Sequence, residues 1–505
     1  MGYVEGSSRD QSFIMNLEDM VASESKVRVI DRFVDTIDLE RLGFTNTTPS
    51  VRGRTSYSPA CMVKLYMFGY EKGVRSSRKL EALCNTDIEA MWLMESLKPD
   101  FKTIADFRKD NVPAFKALFG EFSRFLDGLG LYGKDIVAID GTKVKASNSK
   151  KKHFSKKKLE QHRDYNGRKA DEYLEALDAA DTIEQQEAAL AKAESHTQRK
   201  RQYEQMLDEL KVTGIDEVAL TDTDARMMRT GSLDVAPAYN IQAAVDGANH
   251  LVSAFSVTTD TTDYGQLSEM AQKTKGAVGE GKKPTTFLAD KGYFDGDDLA
   301  ECERLGLDVI VAARDIPTNK DRGDRFQAEH FTYDKATDSY TCPEGAVLAS
   351  RSKKSTENRS YHNSRACKSC EHKDLCVPKN SNKRVIRRRP NSDTLDKARE
   401  KYAQSSEAYK QRQQIVEHVF GTIKHTMDTG YLLLRGKPKA EAEMALAFTG
   451  YNLKRAYSIL GFDKIMEELD ALAHFFLPHI AALFPSSRKS WVILGYNGSS
   501  MLRAV

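Results

Sequence analysis

The sequence has no apolar segment long enough to cross a membrane, and its first residues do not show the pattern of a secretion signal. Its longest late apolar stretch, residues 471–484, is interrupted by two histidines and a proline, whereas a membrane-spanning helix needs about 20 apolar residues. The first ten residues are polar and have neither the basic start nor the apolar centre of a signal peptide. We therefore expect a soluble, cytoplasmic protein without a membrane partner.

Cysteine is scarce as well, with 7 in 505 residues, which argues against a disulfide-stabilised secreted scaffold. Four of the seven are clustered in a polar, irregular stretch: Cys342, Cys367, Cys370 and Cys376. A Cys-x2-Cys pair with two further cysteines nearby has the composition of a tetrahedral zinc site. Structural Zn²⁺ is one interpretation of this cluster, and free thiols are the alternative.

An excess of one charge is also missing, because 76 basic and 73 acidic side chains leave a net charge of only +3. Bulk charge therefore predicts no polyanionic partner, and the distribution of charge must decide. Residues 143–169 contain eleven lysines and arginines against two acids, and a second basic run covers residues 383–389. Such runs suit contacts with DNA phosphates, although a solvated protein surface explains them equally well.

A chain of this length predicts two or three domains rather than one core. Residues 1–130 are expected to form a helical domain, because the pattern from about 33 to 129 is helical, with Ser58-Pro59 as a helix start. Residues 131–460 alternate between strand and helix patterns and carry two insertions, a basic helical hairpin at about 147–215 and the cysteine-bearing stretch at about 314–390. Residues 461–505 form a C-terminal tail.

Three acids in the second region stand where a catalytic site would need them. Apolar strands precede Asp140 and Asp290, so each carboxylate is expected at the exposed end of a buried strand, and Glu417 lies on a helix predicted from about 391 to 426. Carboxylates from separate elements can hold a pair of hard cations such as Mg²⁺ or Mn²⁺. Periodicity alone does not distinguish them from the other acids of this region, which are Asp222, Asp224, Asp246, Asp260, Asp263 and Asp295.

A series of short motifs in fixed order resembles the DDE transposases of bacterial insertion sequences over roughly residues 33–460. This resemblance selects three of the acids in the second region as the metal ligands. The motifs that resemble the family's N-terminal DNA-binding region are Gly53-Arg54, Tyr57-Ser58-Pro59, Arg75-Ser76-Ser77-Arg78, Pro99-Asp100-Phe101 and Phe107-Arg108. Those that resemble its catalytic blocks are Ile139-Asp140-Gly141-Thr142, Thr221-Asp222, Tyr239-Asn240-Ile241-Gln242, Ala289-Asp290, Gly292-Tyr293, Val416-Glu417 and Phe420-Gly421.

The resemblance implies an α/β protein whose RNase H-like catalytic core, interrupted by inserted segments, follows an all-α DNA-binding domain. It implies that Asp140, Asp290 and Glu417 are the catalytic metal ligands. Glu417 and Lys424 are seven residues apart, which places them on one face of an α-helix within roughly 20°. The residues expected to contact DNA are Lys143, Lys145, Arg75, Arg78, Arg108 and the Tyr409, Arg412 and Lys424 of the family's Tyr-Arg-Glu-Lys signature.

The function implied by the resemblance is that of a transposase. Such a protein binds the terminal inverted repeats of its mobile element as a homodimer on paired ends, cleaves the strands with Mg²⁺ or Mn²⁺, and joins the ends to target double-stranded DNA. Two alternatives stay open: a related nuclease without strand transfer, and a non-catalytic DNA-binding protein derived from a transposase. The presence of all three acids weighs against the second alternative.

Overall fold

The computed structural model describes residues 14–48, 56–180, 182–231, 233–279, 281, 283–313, 326–350 and 358–483. The Gly53-Arg54 motif, residues 314–325 and 351–357 of the expected cysteine-bearing insertion, and residues 484–505 of the expected tail lie outside these ranges. The chain divides into two compact units. The first unit comprises Met1–Tyr132, Val144–Tyr239 and Val419–Val505, and the second comprises Gly133–Lys143 and Asn240–His418.

The first unit opens with helices, as the periodicity of the N-terminal region predicts. Ser58 caps one of them through its side chain, with Pro59 in the first turn, and Asp100 caps another by accepting hydrogen bonds from two backbone amides. These caps satisfy amides that have no partner within the helix. The helices are α1 (Lys26–Thr36), α2 (Pro59–Glu71), α3 (Ser77–Thr86), α4 (Ile88–Leu93), α5 (Phe101–Asp110) and α6 (Val112–Gly128).

A long C-terminal helix, which we number α15 (Lys437–Leu483), packs against α2 and α6 within the same unit. The sequence predicts a helix over 440–460 and a tail from 461, but the helix resumes beyond Gly461, whose φ of 75° interrupts it. Glycine adopts this left-handed conformation without a steric penalty. Among the described residues, no helix is both long and apolar enough to cross a lipid bilayer.

The segment between 147 and 215 contains two long helices, α7 (Lys156–Asp178) and α8 (Ile183–Thr213), which pack against each other. The short strands β2 (His153–Ser155) and β3 (Glu217–Ala219) pair in antiparallel fashion at one end of this helical hairpin. A small apolar cluster closes the same end, formed by Phe154, Leu159, Leu207 and Leu210. The rest of the hairpin exposes mainly polar side chains.

The second unit contains β6 (Val252–Thr258), β7 (Thr286–Ala289), β8 (Asp308–Val311) and most of β1 (Ile136–Lys145) and β5 (Val235–Asp246), in a mixed sheet of order β6-β5-β1-β7-β8. Residues 144–145 of β1 and 235–239 of β5 belong to the first unit. β5 and β6 are antiparallel, whereas β1, β7 and β8 are parallel. The Gly247 amide donates to the Ile136 carbonyl, so the end of β5 lies beside the start of β1 and the two strands are antiparallel. The helices α9 (Leu267–Val278) and α10 (Gly296–Arg304) complete its core.

β1 does not end at Asp140, as the apolar run before it suggests, but continues to Lys145. Its last residue, in the first unit, forms backbone hydrogen bonds with Gly430 and Leu432 of that unit. The first unit also contains β4 (Arg226–Arg229), which pairs with the first residues of β5. Asp140 therefore lies within a strand and not at its tip.

The cysteine-bearing segment is not irregular, as its composition suggests, but forms an antiparallel sheet of short strands around a small aromatic core. Strands of three or four residues with polar faces leave too few alternations for the pattern to show in the sequence. The elements are β9 (Thr332–Asp334), β10 (Ser339–Thr341), β11 (Val347–Ser350), β12 (Arg359–His362), α11 (Ser364–Lys368), α12 (Lys373–Cys376) and β13 (Ile386–Arg388).

The single helix predicted from about 391 to 426 is divided. α13 (Ser392–Gln404) and α14 (Ser406–Gly421) are separated at Ser405, and a π-helical turn follows at Thr422–Thr426. A π turn contains more residues than an α turn. The α-helical spacing that places Glu417 and Lys424 on one face therefore does not hold through this turn.

Candidate active site

Asp140 and Asp290 lie side by side on neighbouring parallel strands. Ile139 of β1 is paired with Ala289 of β7, and each aspartate is the next residue along its chain. The Asp290 carboxylate caps a 3-10 turn by accepting a hydrogen bond from the Gly292 amide at 2.7 Å. Strand register thus brings together two of the three acids predicted as metal ligands.

The environment of Asp140 disfavours its negative charge. Its side chain is 23% exposed, and burial raises its pKa to about 6, with the Asp290 carboxylate adding to the shift. Arg412 of α14 opposes the shift, because its Nη1 lies 3.1 Å from Asp140 Oδ2. A positive charge at this position stabilises the ionised carboxylate.

Two residues of the expected Tyr-Arg-Glu-Lys signature meet at this point. The Arg412 guanidinium lies 5.9 Å from the centre of the Tyr409 ring, and Tyr409 is half-buried, with an edge-to-face contact to Tyr402 at 4.9 Å. Burial raises the pKa of Tyr409. The structure therefore places Arg412 on a carboxylate of the candidate site.

Asp263 is the acid that the sequence does not single out. Its Oδ1 accepts hydrogen bonds from Lys143 at 3.1 Å, from Asn240 at 2.8 Å and from Gln242 at 2.8 Å. Lys143 was expected to contact DNA, but its side chain is only 17% exposed and pairs with this carboxylate. Asn240 and Gln242 are two residues apart on β5 and therefore lie on the same face of the strand. This pair of amides was the one sequence feature that could have indicated a polar site on that face.

Two glycines next to the strand acids make room for Asp263. A Cβ atom on Gly141 would lie 2.5 Å from both Asp263 Oδ1 and Gln242 Nε2, and one on Gly292 would lie 3.3 Å from Asp263 Oδ2. Beneath them, the buried Tyr293 donates its hydroxyl hydrogen to Gln242 Oε1. Burial raises the pKa of Tyr293 well above its usual range, so the hydroxyl stays a neutral donor.

Glu417 is not part of this cluster. Its side chain is exposed, and its Oε1 accepts a hydrogen bond from Gln413 at 2.6 Å on the same helix. Within the described ranges, no group of three or more His, Cys, Asp or Glu side chains is arranged to hold a metal ion. The third acidic position thus stays a prediction.

Two of the residues expected to contact DNA are instead buried within the first unit, which contradicts that expectation. Arg75 is 3% exposed and forms an ion pair of 2.6 Å with Glu443, which is fully buried. Arg108 is 4% exposed and donates to the Tyr70 hydroxyl at 3.2 Å and to the Arg75 carbonyl at 3.1 Å. Charges held in this way stabilise the packing of the helices and cannot reach a phosphate.

The remaining candidates for DNA contacts are more accessible. Arg78 is exposed, with its guanidinium 4.8 Å from the centre of the Phe101 ring. Lys145 is also exposed and lies 2.8 Å from Asp234. Lys424 is half-buried in the π turn. These three side chains keep their expected role as predictions.

The four clustered cysteines line one cavity of about 290 Å³ next to the small sheet. All four are free thiols and are partly buried. Burial raises the pKa of Cys376, and the other three thiols add to the shift. The thiols are therefore neighbours, although they are not arranged as a metal-binding group.

Two known protein families match parts of the chain. A family described as a transposase domain (DUF772) matches residues 15–110, and one described as a transposase DDE domain matches residues 341–457. The first match covers α1 to α5, and the second covers α13, α14 and Glu417 but neither Asp140 nor Asp290. No curated protein matches the chain.

Proposed function

Because the chain is a DDE transposase of an insertion sequence, we propose that it binds the terminal inverted repeats of its element and catalyses metal-dependent DNA cleavage and strand transfer. The observation that carries this proposal is the pairing of Asp140 and Asp290 on adjacent parallel strands. Two carboxylates held on such strands have a fixed separation, which suits the binding of metal ions that act on a phosphodiester. By the same family resemblance, the protein acts in the cytoplasm as a homodimer on two paired ends.

We further propose that the second unit contains an RNase H-like core. What supports this is the sheet order β6-β5-β1-β7-β8, in which an antiparallel hairpin lies on one side of β1 and two parallel strands lie on the other. The resemblance implies the same core, with the α7–α8 hairpin and the cysteine-bearing sheet as insertions. Both acids then come from the two central parallel strands.

The residues present fit a divalent cation at Asp140 and Asp290. Burial and the neighbouring charge disfavour ionised Asp140, and a cation between the two carboxylates would offset both effects. When bound there, Mg²⁺ or Mn²⁺ would activate a water molecule or a DNA 3′-hydroxyl and stabilise the leaving oxygen. Glu417 is proposed as the third ligand on the strength of the family motif alone.

The chain's own residues position this pair. Lys143, Asn240 and Gln242 hold the Asp263 carboxylate by three hydrogen bonds, and Asp263 in turn lies against the backbone of Gly141 and Gly292. We propose that Asp263 is a positioning residue that fixes the two backbone segments bearing Asp140 and Asp290. Arg412 forms an ion pair with Asp140, and we propose that its guanidinium also binds a phosphate group of the DNA.

The experiment that tests transposase against nuclease uses a labelled duplex that ends in a pre-cleaved 3′-hydroxyl of the element. With Mg²⁺ and a target plasmid, a transposase joins this end to the plasmid. A nuclease on the same core cleaves an uncut end but yields no joined product. A protein that binds the duplex and neither cleaves nor joins supports the non-catalytic alternative.

Structural zinc at the cysteine cluster is a separate proposal that the catalytic one does not require. What supports it is that all four thiols border one cavity. Zinc measured by mass spectrometry in protein purified without chelator tests it. About one equivalent supports the site, and none, with all four thiols reactive, rejects it.

A further inference from the structure

The α7–α8 hairpin has a strongly uneven distribution of charge along its length. Its basal half, residues 156–169 and 196–213, holds ten basic and five acidic side chains. Its distal half, residues 170–178 and 183–195, holds one basic and seven acidic side chains. A helix pair whose charges served only solubility would have both signs interspersed along it.

Packing between the two helices fixes which residues meet. Asn166 Oδ1 and His196 Nδ1 are 2.8 Å apart, and the His196 ring stacks on Tyr173 at 5.6 Å. Gly167 lies against the Lys200 side chain, since a Cβ atom there would be 3.7 Å from three of its atoms. This register brings Arg168 of α7 beside the basic run 199–201 of α8.

Most of these basal cations form no ion pair with an acidic residue that the structure describes. Some are neutralised locally: Arg163 pairs with Asp164, and Lys169 pairs with Glu172. Within the part of the chain that the structure describes, no ion pair involves the members of a set that we call the basal cluster. The basal cluster consists of Lys151, Lys152, Lys156, Lys157, Arg168, Arg199, Lys200 and Arg201, and all are exposed except the half-buried Lys200.

The spacing within the basal cluster suits an extended polyanion. Lys157 and Arg168 are eleven residues apart, which places them within about 20° of one another on the helix surface and about 16 Å apart along it. Double-stranded DNA carries one negative charge per about 1.7 Å of its axis. A run of cations on this scale can therefore meet several phosphates of one duplex.

We propose that the basal cluster binds the phosphate backbone of double-stranded DNA, while the acidic distal half keeps the end of the hairpin off the duplex. This inference rests on the proposed function, because it assumes that DNA is the substrate. It assigns to the hairpin an affinity that does not depend on sequence. Recognition of the element ends is left to other parts of the chain.

The test is the salt dependence of binding to a labelled duplex of about 40 base pairs and arbitrary sequence, measured by fluorescence anisotropy without divalent metal. Each phosphate contact contributes roughly 0.9 to the slope of log K against log salt concentration. The double variant Lys157→Gln/Arg168→Gln should therefore lower that slope by about 2. Both side chains are exposed, and circular dichroism checks that the fold is kept.

A matched control removes two positive charges from the same hairpin. Lys192→Gln/Lys211→Gln changes the net charge equally, but Lys192 lies in the acidic half and Lys211 is paired with Asp208 at 2.8 Å. Its slope should equal that of the wild type. If the slope fell equally in both variants, the change in net charge alone would explain it, and the inference would be overturned.

An unchanged slope in the Lys157→Gln/Arg168→Gln variant also overturns the inference, and the proposed function survives if that variant and the wild type still cleave and join element ends. If the wild type binds neither the arbitrary duplex nor an element end at any salt concentration, the proposed function fails together with the inference. The two failures are thus distinguishable.

Discussion

Replacing Gly141 by alanine tests the geometry of the candidate site with a single methyl group. The new Cβ would lie 2.5 Å from Asp263 Oδ1 and from Gln242 Nε2, and 3.1 Å from Asn240 Oδ1. Ordinary contact begins at about 3.4 Å, so the first two atoms must retreat by about 0.9 Å. Those atoms are themselves hydrogen-bonded to each other at 2.8 Å, and the hydrogen bonds of Asp263 cannot all survive the shift.

The magnitude follows from the bonds at risk. A hydrogen bond to a charged group contributes roughly 1.5–3 kcal/mol, and inserting a methyl group into a packed site costs roughly 1–3 kcal/mol. Alanine in place of glycine in a strand offsets about 0.5–1 kcal/mol of this loss. We therefore expect Gly141→Ala to lower the free energy of unfolding by about 2–4 kcal/mol and to abolish most cleavage.

The assay is urea unfolding followed by circular dichroism, with DNA cleavage measured in parallel. Gly276→Ala in α9 is the matched control, because a Cβ atom there meets nothing within 4 Å. That variant should be more stable than the wild type by about 0.5–1 kcal/mol and fully active. If Gly141→Ala is as stable and active as Gly276→Ala, the hydrogen-bonded cluster around Asp263 is not packed as described.

Three further predictions follow from individual residues. Without metal, Asp140→Asn should stabilise the protein at pH 8 by up to about 3 kcal/mol, a figure that already includes the effect of Arg412. Because the folded pKa of about 6 is raised, this advantage should shrink as the pH falls from 6 towards 4 in melting experiments. Arg75→Ala leaves the buried Glu443 with the backbone amides of Leu433 and Leu434 but without its ion-pair partner, and should destabilise the fold by about 3–5 kcal/mol. Arg78→Ala, by contrast, should leave the melting temperature within about 1 °C and weaken DNA binding. Tyr293→Phe removes the hydrogen bond to Gln242 and should cost about 1 kcal/mol in denaturant unfolding; an unchanged midpoint would contradict the contact.

Local patterns in the sequence were sufficient to predict the strand segments that lead into Asp140 and Asp290. Each acid follows a short apolar run, and the pairing of Ile139 with Ala289 then sets the two side by side. The π turn after α14 was not predictable in this way, because helical periodicity assumes a constant number of residues per turn. The α-helical spacing from which Glu417 and Lys424 were expected on one face therefore does not apply across it.

Contacts between residues far apart in the chain could not be predicted from such local patterns. Asp263 lies in a loop after β6, where no periodicity marks it, and only the folded sheet brings it to Asn240 and Gln242. Likewise, Arg75 looked like a surface cation because its partner Glu443 is 368 residues away. Charge in a sequence does not reveal burial, which depends on what the rest of the chain packs against it.

The most direct test of the account is Mg²⁺-dependent cleavage of a labelled element-end duplex by four variants that still bind it: Asp140→Asn, Asp290→Asn, Glu417→Gln and Asp263→Asn. We predict that Asp140→Asn and Asp290→Asn abolish cleavage and that Asp263→Asn lowers it and raises the Mg²⁺ concentration needed. Loss of cleavage in Glu417→Gln would support the third ligand that the family motif implies. Full activity of Asp140→Asn or Asp290→Asn would contradict the central claim that these paired carboxylates form the active site.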